Sequence, residues 1–207
     1  MPRKKAVKSR KKVAQARKKV VRGKKKATPS RVKKPKRAVP VRRAAAPPDQ
    51  ARVFLRHTVA TLAYRCGKAV RDAPESFAAF KAGPTTRTPI EILAHIGDLL
   101  DWVLSQATGQ ERWRDASYSS WDVEVRRFHS GLAAFDDYLA SPAPLHKPAE
   151  RMFQGAIADA LAHTGQLTML RRLAGSHVRG ENYSRADIKA GRVGPDQPPP
   201  PERSEFD

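Results

Sequence analysis

Asp159 and His163 stand four residues apart in the proline-free run ERMFQGAIADALAHTGQLTMLRRLAG, residues 150–175. On a helix that spacing puts both side chains on one face, with Cβ atoms roughly 5–6 Å apart. A carboxylate and an imidazole so placed can chelate one divalent cation, but two ligands do not complete a site. The candidate for the third is His95, in TPIEILAHIGDLLDWVL, flanked by Ile92 and Leu99 at helical intervals. Two imidazoles and one carboxylate on one side of an ion suit Zn, Fe(II), Ni or Mn. They leave coordination positions open for water or substrate. Gln166, nearly one turn past His163, is placed to orient a ligand or a water. A plainer reading stands beside this one. His95 is then a core histidine satisfied by a backbone carbonyl, Asp159 is a surface carboxylate, and the lone DxxxH pair is a coincidence of the kind short motifs produce. Spacing alone favours the plainer reading.

Other residues of the right chemical types have weaker claims. Glu91 lies four before His95 and is a reserve ligand, although its place three residues after Thr88 reads more simply as half of a capping box. His57, His129, His146 and His177 lack a partner at metal spacing, and His129, beside Phe128, reads as a half-exposed face residue. Cys66 is the one cysteine, so no internal disulfide forms and a reducing compartment fits. It reads as a small buried hydrophobe, because no base is evident beside it.

Four helices can carry these residues. The first spans 51–72, with Val53, Leu55, Val59, Leu62, Ala63 and Val70 expected inward. The second spans 88–107, opened by the Thr88 cap, Pro89 at the first helical position and Glu91. The third spans 121–140, capped by Ser120, stopped at Ser141-Pro142, with Phe128, Leu132, Phe135 and Leu139 alternating by four and three. The fourth is the opening run, beginning after Pro148 and ending at Gly175, with Phe153, Ile157, Ala160, Leu167 and Leu170 on its apolar stripe. No period-two strand is evident. The expected fold is all-α, an up-down four-helix bundle of antiparallel helices. In it His95 can face the fourth helix, so His95, Asp159 and His163 should converge in the bundle interior, with the two rings within about 8 Å. Burying them unpartnered would cost several kcal/mol, so a metal or a hydrogen-bonded partner is expected there.

Charge divides the chain. The first 46 residues hold 21 Lys and Arg and no acid, which leaves residues 47–207 with 20 basic and 20 acidic side chains. The net charge of +21 therefore belongs to the arm alone. Such a segment cannot bury enough apolar surface to offset its ordering entropy, and the reading is a disordered arm over residues 1–48. It is suited to salt-dependent, sequence-independent contact with nucleic acid, without aromatic residues for base stacking. A solubility arm, or a start codon misplaced upstream of the domain, accounts for it equally well. A mitochondrial presequence fits less well, because Lys dominates and Ser is sparse. The helical domain is assigned to 49–179 and an irregular tail to 180–207, whose residues 195–203 (PDQPPPPER) read as a frayed end. With no long apolar run and no export signal, the expected location is the cytoplasm, in association with the nucleoid if the arm engages DNA.

The segments TPIEILAHIGDLLDWVL and IADALAHTGQLTMLRRLAG resemble the second and fourth helices of the DinB-like (DNA-damage-inducible) four-helix-bundle superfamily, which is distinct from the DNA polymerase sharing its name. Members place one His on the second helix and an HxxxH pair on the fourth, with Gly-Gln following the last His after one residue. His95 matches the first position, and His163-Thr164-Gly165-Gln166 matches the last. Asp159 replaces the middle His, which hardens the ligand set and leaves the metal open. The resemblance covers residues 51–175 and shifts the balance toward the metal reading. It implies a divalent-metal site and, by likeness to characterised relatives, thiol-dependent S-transfer or isomerisation with a low-molecular-weight thiol such as mycothiol or bacillithiol. A homodimer is a further expectation. The competing function is a non-catalytic helical bundle carried to nucleic acid by its arm.

Overall fold

The computed structural model describes residues 49–207, so the arm expected over 1–48 lies outside the described residues. The described chain is mostly helical with little strand. Helix α1 (Gln50–Val70) starts where the Asp49 side chain accepts from the Ala51 N–H. Helix α2 (Pro89–Ala107) opens on a full capping box: Thr88 accepts from the Glu91 N–H while the Glu91 carboxylate accepts from the Thr88 N–H at 2.7 Å. Helix α3 (Trp121–Ala140) is capped by Ser120, which accepts from the Val123 N–H. These side chains satisfy donors that a helix start leaves unpaired.

The fourth helical rod is not the plain α-helix expected. A short α4 (Ala149–Met152) leads into a π-helical stretch, Phe153–Ile157, before α5 (Ala158–Leu173) restores the α ladder. A π turn inserts one residue into the ladder and shifts the phase of everything beyond it. Gly155 sits in this stretch against the Trp102 ring, where an added Cβ would lie 3.4 Å from the nearest ring atom.

Leu55, Val59 and Leu62 meet Leu93, Ile96 and Leu100, Phe128, Leu132 and Phe135, and Ile157 and Leu167 in one core. Each such side chain contributes about 1.5–3 kcal/mol through burial. Val53, expected inward, is instead 47% exposed. It precedes Leu55 by two residues, about 200° around the helix, which turns it away from the stripe.

Strict up-down alternation fails between α2 and α3. Contacts advance in step along the two: Arg127 donates to the Ala94 carbonyl, Gly131 packs against Leu100, and the Tyr138 hydroxyl donates to the Ala107 carbonyl. The two helices are therefore parallel. Helix α1 opposes α3, since Arg52 reaches the Leu139 carbonyl while Arg56 grips Asp136. It runs with the fourth rod, since Phe54 meets Phe153 and Ala69 meets Arg171. Helix α2 opposes that rod, with Trp102 over Gly155 and His95 against His163. The reason is connection length. Alternation is forced only by short loops. Residues 108–120, extended at about 3.3 Å each, can run back along a helix of about 29 Å.

The C-terminal segment is held down rather than frayed. Strand β1 (Gly180–Glu181) pairs antiparallel with β2 (Glu205–Phe206), a ladder too short to show as alternation in the sequence. Glu181 is buried, accepts from the Tyr64 hydroxyl and pairs with Lys68 Nζ at 2.8 Å, and Lys68 also reaches Glu205. Val193 joins the core. Among the described residues no helix is long and apolar enough to cross a membrane.

Candidate metal centre

His95 lies in the second turn of α2, on the flank of the stripe formed by Ile92, Leu93, Ile96 and Leu99. Asp159 and His163 occupy the first turns of α5, on the flank of Ala160, Thr164 and Leu167. Because α2 and α5 are antiparallel neighbours, the two flanks face each other. The structure brings all three residues together: one ligand atom from each lies within 4.8 Å of the others. His95 Nε2 is 3.6 Å from Asp159 Oδ2, and His163 Nε2 is 3.5 Å from Asp159 Oδ1. The imidazole rings meet edge to face with centroids 4.8 Å apart, inside the expected limit. Donor atoms sharing an ion with bonds of about 2.0–2.2 Å stand roughly 3–3.5 Å from one another, so small side-chain rotations close this set.

The location differs from the one expected. The side chains of His95 and His163 are largely covered, but that of Asp159 is 48% exposed, so the cluster sits at the rim of the helix pair and not in its interior. Full burial of the carboxylate is thereby avoided, and the site opens to solvent.

The contacts of His163 leave room for a cation at this point. Gln166 Oε1 lies 2.8 Å from His163 Nδ1. An amide oxygen only accepts, so in this contact Nδ1 is the donor and Nε2 is the nitrogen turned toward Asp159. Nε2 faces Asp159 Oδ1 at 3.5 Å, a gap that either a proton on Nε2 or a shared metal ion would bridge. Gln166 thus contacts the ring nitrogen of His163 that is turned away from Asp159. Burial, then the charges of His163 and Arg87, hold the His95 imidazole below its ordinary value against the opposing pull of Asp159. The neutral imidazole so favoured is the form that ligates a metal.

The surroundings were less legible. Trp113, in the return segment between α2 and α3, stands edge to face on His95 at 5.7 Å and on Trp102 at the same distance. Nothing in the spacing of Trp113 tied it to His95; only the parallel course of α2 and α3 brings it there. A cavity of about 680 Å³ opens beside the cluster, with His95, His163 and Gln166 at one end.

The weaker candidates fall elsewhere. Glu91 is consumed in the capping box. His57, His146 and His177 are exposed. His129 is half-buried with its Nδ1 3.3 Å from the Val193 carbonyl, which accounts for it structurally. Cys66 is fully buried, and desolvation pushes its thiol up to about 12, which removes it as a nucleophile at neutral pH. The chain matches no protein-family model, no curated protein and no solved structure.

Proposed function

We propose that this chain is a divalent-metal-binding protein of the DinB-like kind, with His95, Asp159 and His163 as ligands and Gln166 orienting His163. One observation carries the reading: two imidazole Nε2 atoms converge on a single carboxylate, and both imidazoles line a cavity. A bound Zn, Ni, Fe or Mn ion would supply Lewis acidity, which keeps a coordinated thiol in its thiolate form at neutral pH. The chain's own residues do the rest. Asp159 would offset one positive charge, Gln166 would hold the His163 ring, and Trp113 packs edge to face on His95. The reaction proposed is S-transfer or isomerisation with a low-molecular-weight thiol as co-substrate. Cobalt(II) substitution tests it. Adding such a thiol should raise a sulfur-to-cobalt charge-transfer band in wild type and none in His163→Ala, whereas a wild-type spectrum indifferent to thiol would contradict thiol chemistry.

A second reading concerns residues 1–48 and is compatible with the first. All of the net charge of +21 falls within the first 46 residues. We infer that this basic arm binds nucleic acid through phosphate contacts, placing the protein in the cytoplasm at the nucleoid. If the helical domain has no chemistry of its own, it is the cargo of that arm.

A further inference from the structure

The cavity beside the cluster carries more chemistry than metal ligation uses. His95, His163 and Gln166 form one end of it, while Ile92, Leu170, Met169 and Leu173 form an apolar wall. Met169 and Leu173 are 58% and 57% exposed and lie four apart on α5, an apolar pair left open to solvent among the described residues. Arg87, just ahead of the α2 cap, lines the same cavity. Among the described residues no carboxylate lies within ion-pair distance of Arg87, although its charge is felt at His95. The Asp159 side chain does not line the cavity, so the fixed charge facing it is the Arg87 guanidinium.

We infer that this cavity binds a small amphipathic carboxylate, with an apolar body along Met169, Leu170 and Leu173 and its anion on Arg87. A volume of about 680 Å³ is in the range of small-molecule sites, which combine a mostly apolar lining with a few polar anchors. A planar guanidinium matches a carboxylate with two parallel hydrogen bonds, which distinguishes this ligand from a neutral one of equal size. The ligand is the second substrate, lying between Arg87 and the histidines. That last placement rests on the metal reading above; the anion and the apolar contacts do not.

Octanoate and octanamide serve as probes, titrated calorimetrically into the full-length protein at constant ionic strength. Octanoate should bind about fivefold more tightly than octanamide, the scale of one partly exposed ion pair. Arg87→Gln should erase that preference without changing octanamide affinity, whereas a preference owed to the basic arm would survive the substitution. Leu173→Glu, at an exposed position that does not threaten folding, should weaken both probes. Equal binding of the two probes to wild type, binding of neither, or a preference surviving Arg87→Gln would overturn the inference. Elemental analysis of the same samples separates the two ideas. A lost preference with metal retained leaves the metal reading standing, and an intact preference without metal leaves the Arg87 site standing.

Discussion

Gln166 touches the proposed centre only through His163, yet it decides which ring nitrogen of that histidine is free. Its Oε1 lies 2.8 Å from Nδ1, which leaves Nε2 turned toward Asp159 or an ion. Outer partners of this kind commonly change metal affinity by 10–100-fold. Gln166→Leu should weaken metal binding by about tenfold in a chelator-competition titration while leaving the fold intact, and undiminished affinity would show that the contact positions nothing. At this scale much was legible. The i, i+4 pair and the Gln166 offset are properties of a single helix, and local periodicity states them directly. Trp113 was not legible, because its contact with His95 joins residues that only tertiary structure brings together. Nor was the exposure of Asp159, which depends on how far α2 and α5 part at the rim.

Among the elements, the helices were readable because their ends are marked by side chains: Thr88 with Glu91, Ser120, and Asp49. Their order in space was not, since a connection as long as 108–120 permits either direction. The π stretch was invisible for a related reason, since its apolar residues fit an α stripe almost as well. The C-terminal strap was missed because scattered tertiary contacts anchor it, chief among them the Glu181 carboxylate, which holds Tyr64 and Lys68 at once. Burial, then the Glu181 hydrogen bond, raises the Tyr64 phenol well above its ordinary value. For Lys68 burial works downward, but bonds to Glu181 and Glu205 outweigh it and hold the ammonium above its usual 10.5. Both groups keep their protons more firmly folded than unfolded. Their contribution is complete below the unfolded values and is lost as pH rises through the folded ones, so stability should fall on the alkaline side of about pH 10. Glu181→Ala should cost about 3 kcal/mol at neutral pH in chemical denaturation, because it leaves a covered Lys68 with less compensation. The alkaline decline should also become shallower, since the partner that raised both groups is gone. An unchanged midpoint and slope would mean that the strap is merely draped over α1.

At the scale of the whole molecule, charge and chemistry occupy separate parts of the chain. The arm carries the entire net charge, and residues 47–207 balance 20 basic against 20 acidic side chains. A protein lacking residues 1–46 should therefore melt at nearly the same temperature as full-length protein yet lose most affinity for duplex DNA in a salt titration. Affinity retained by the truncated protein, or insensitive to salt, would assign DNA contact to the helices or to nothing. The central claim concerns the other part. Two helices flank a stripe with His95 on one and Asp159 and His163 on the other, and the donor atoms meet. The most direct measurement is the metal content of purified protein by elemental spectroscopy, in wild type and in His95→Ala, Asp159→Ala and His163→Ala, with folding checked by circular dichroism. One equivalent of a divalent transition metal per chain in wild type, lost in each folded variant, is the predicted result. A metal-free wild type that takes up no Zn, Ni, Fe or Mn on titration, or content unchanged by all three substitutions, would contradict it.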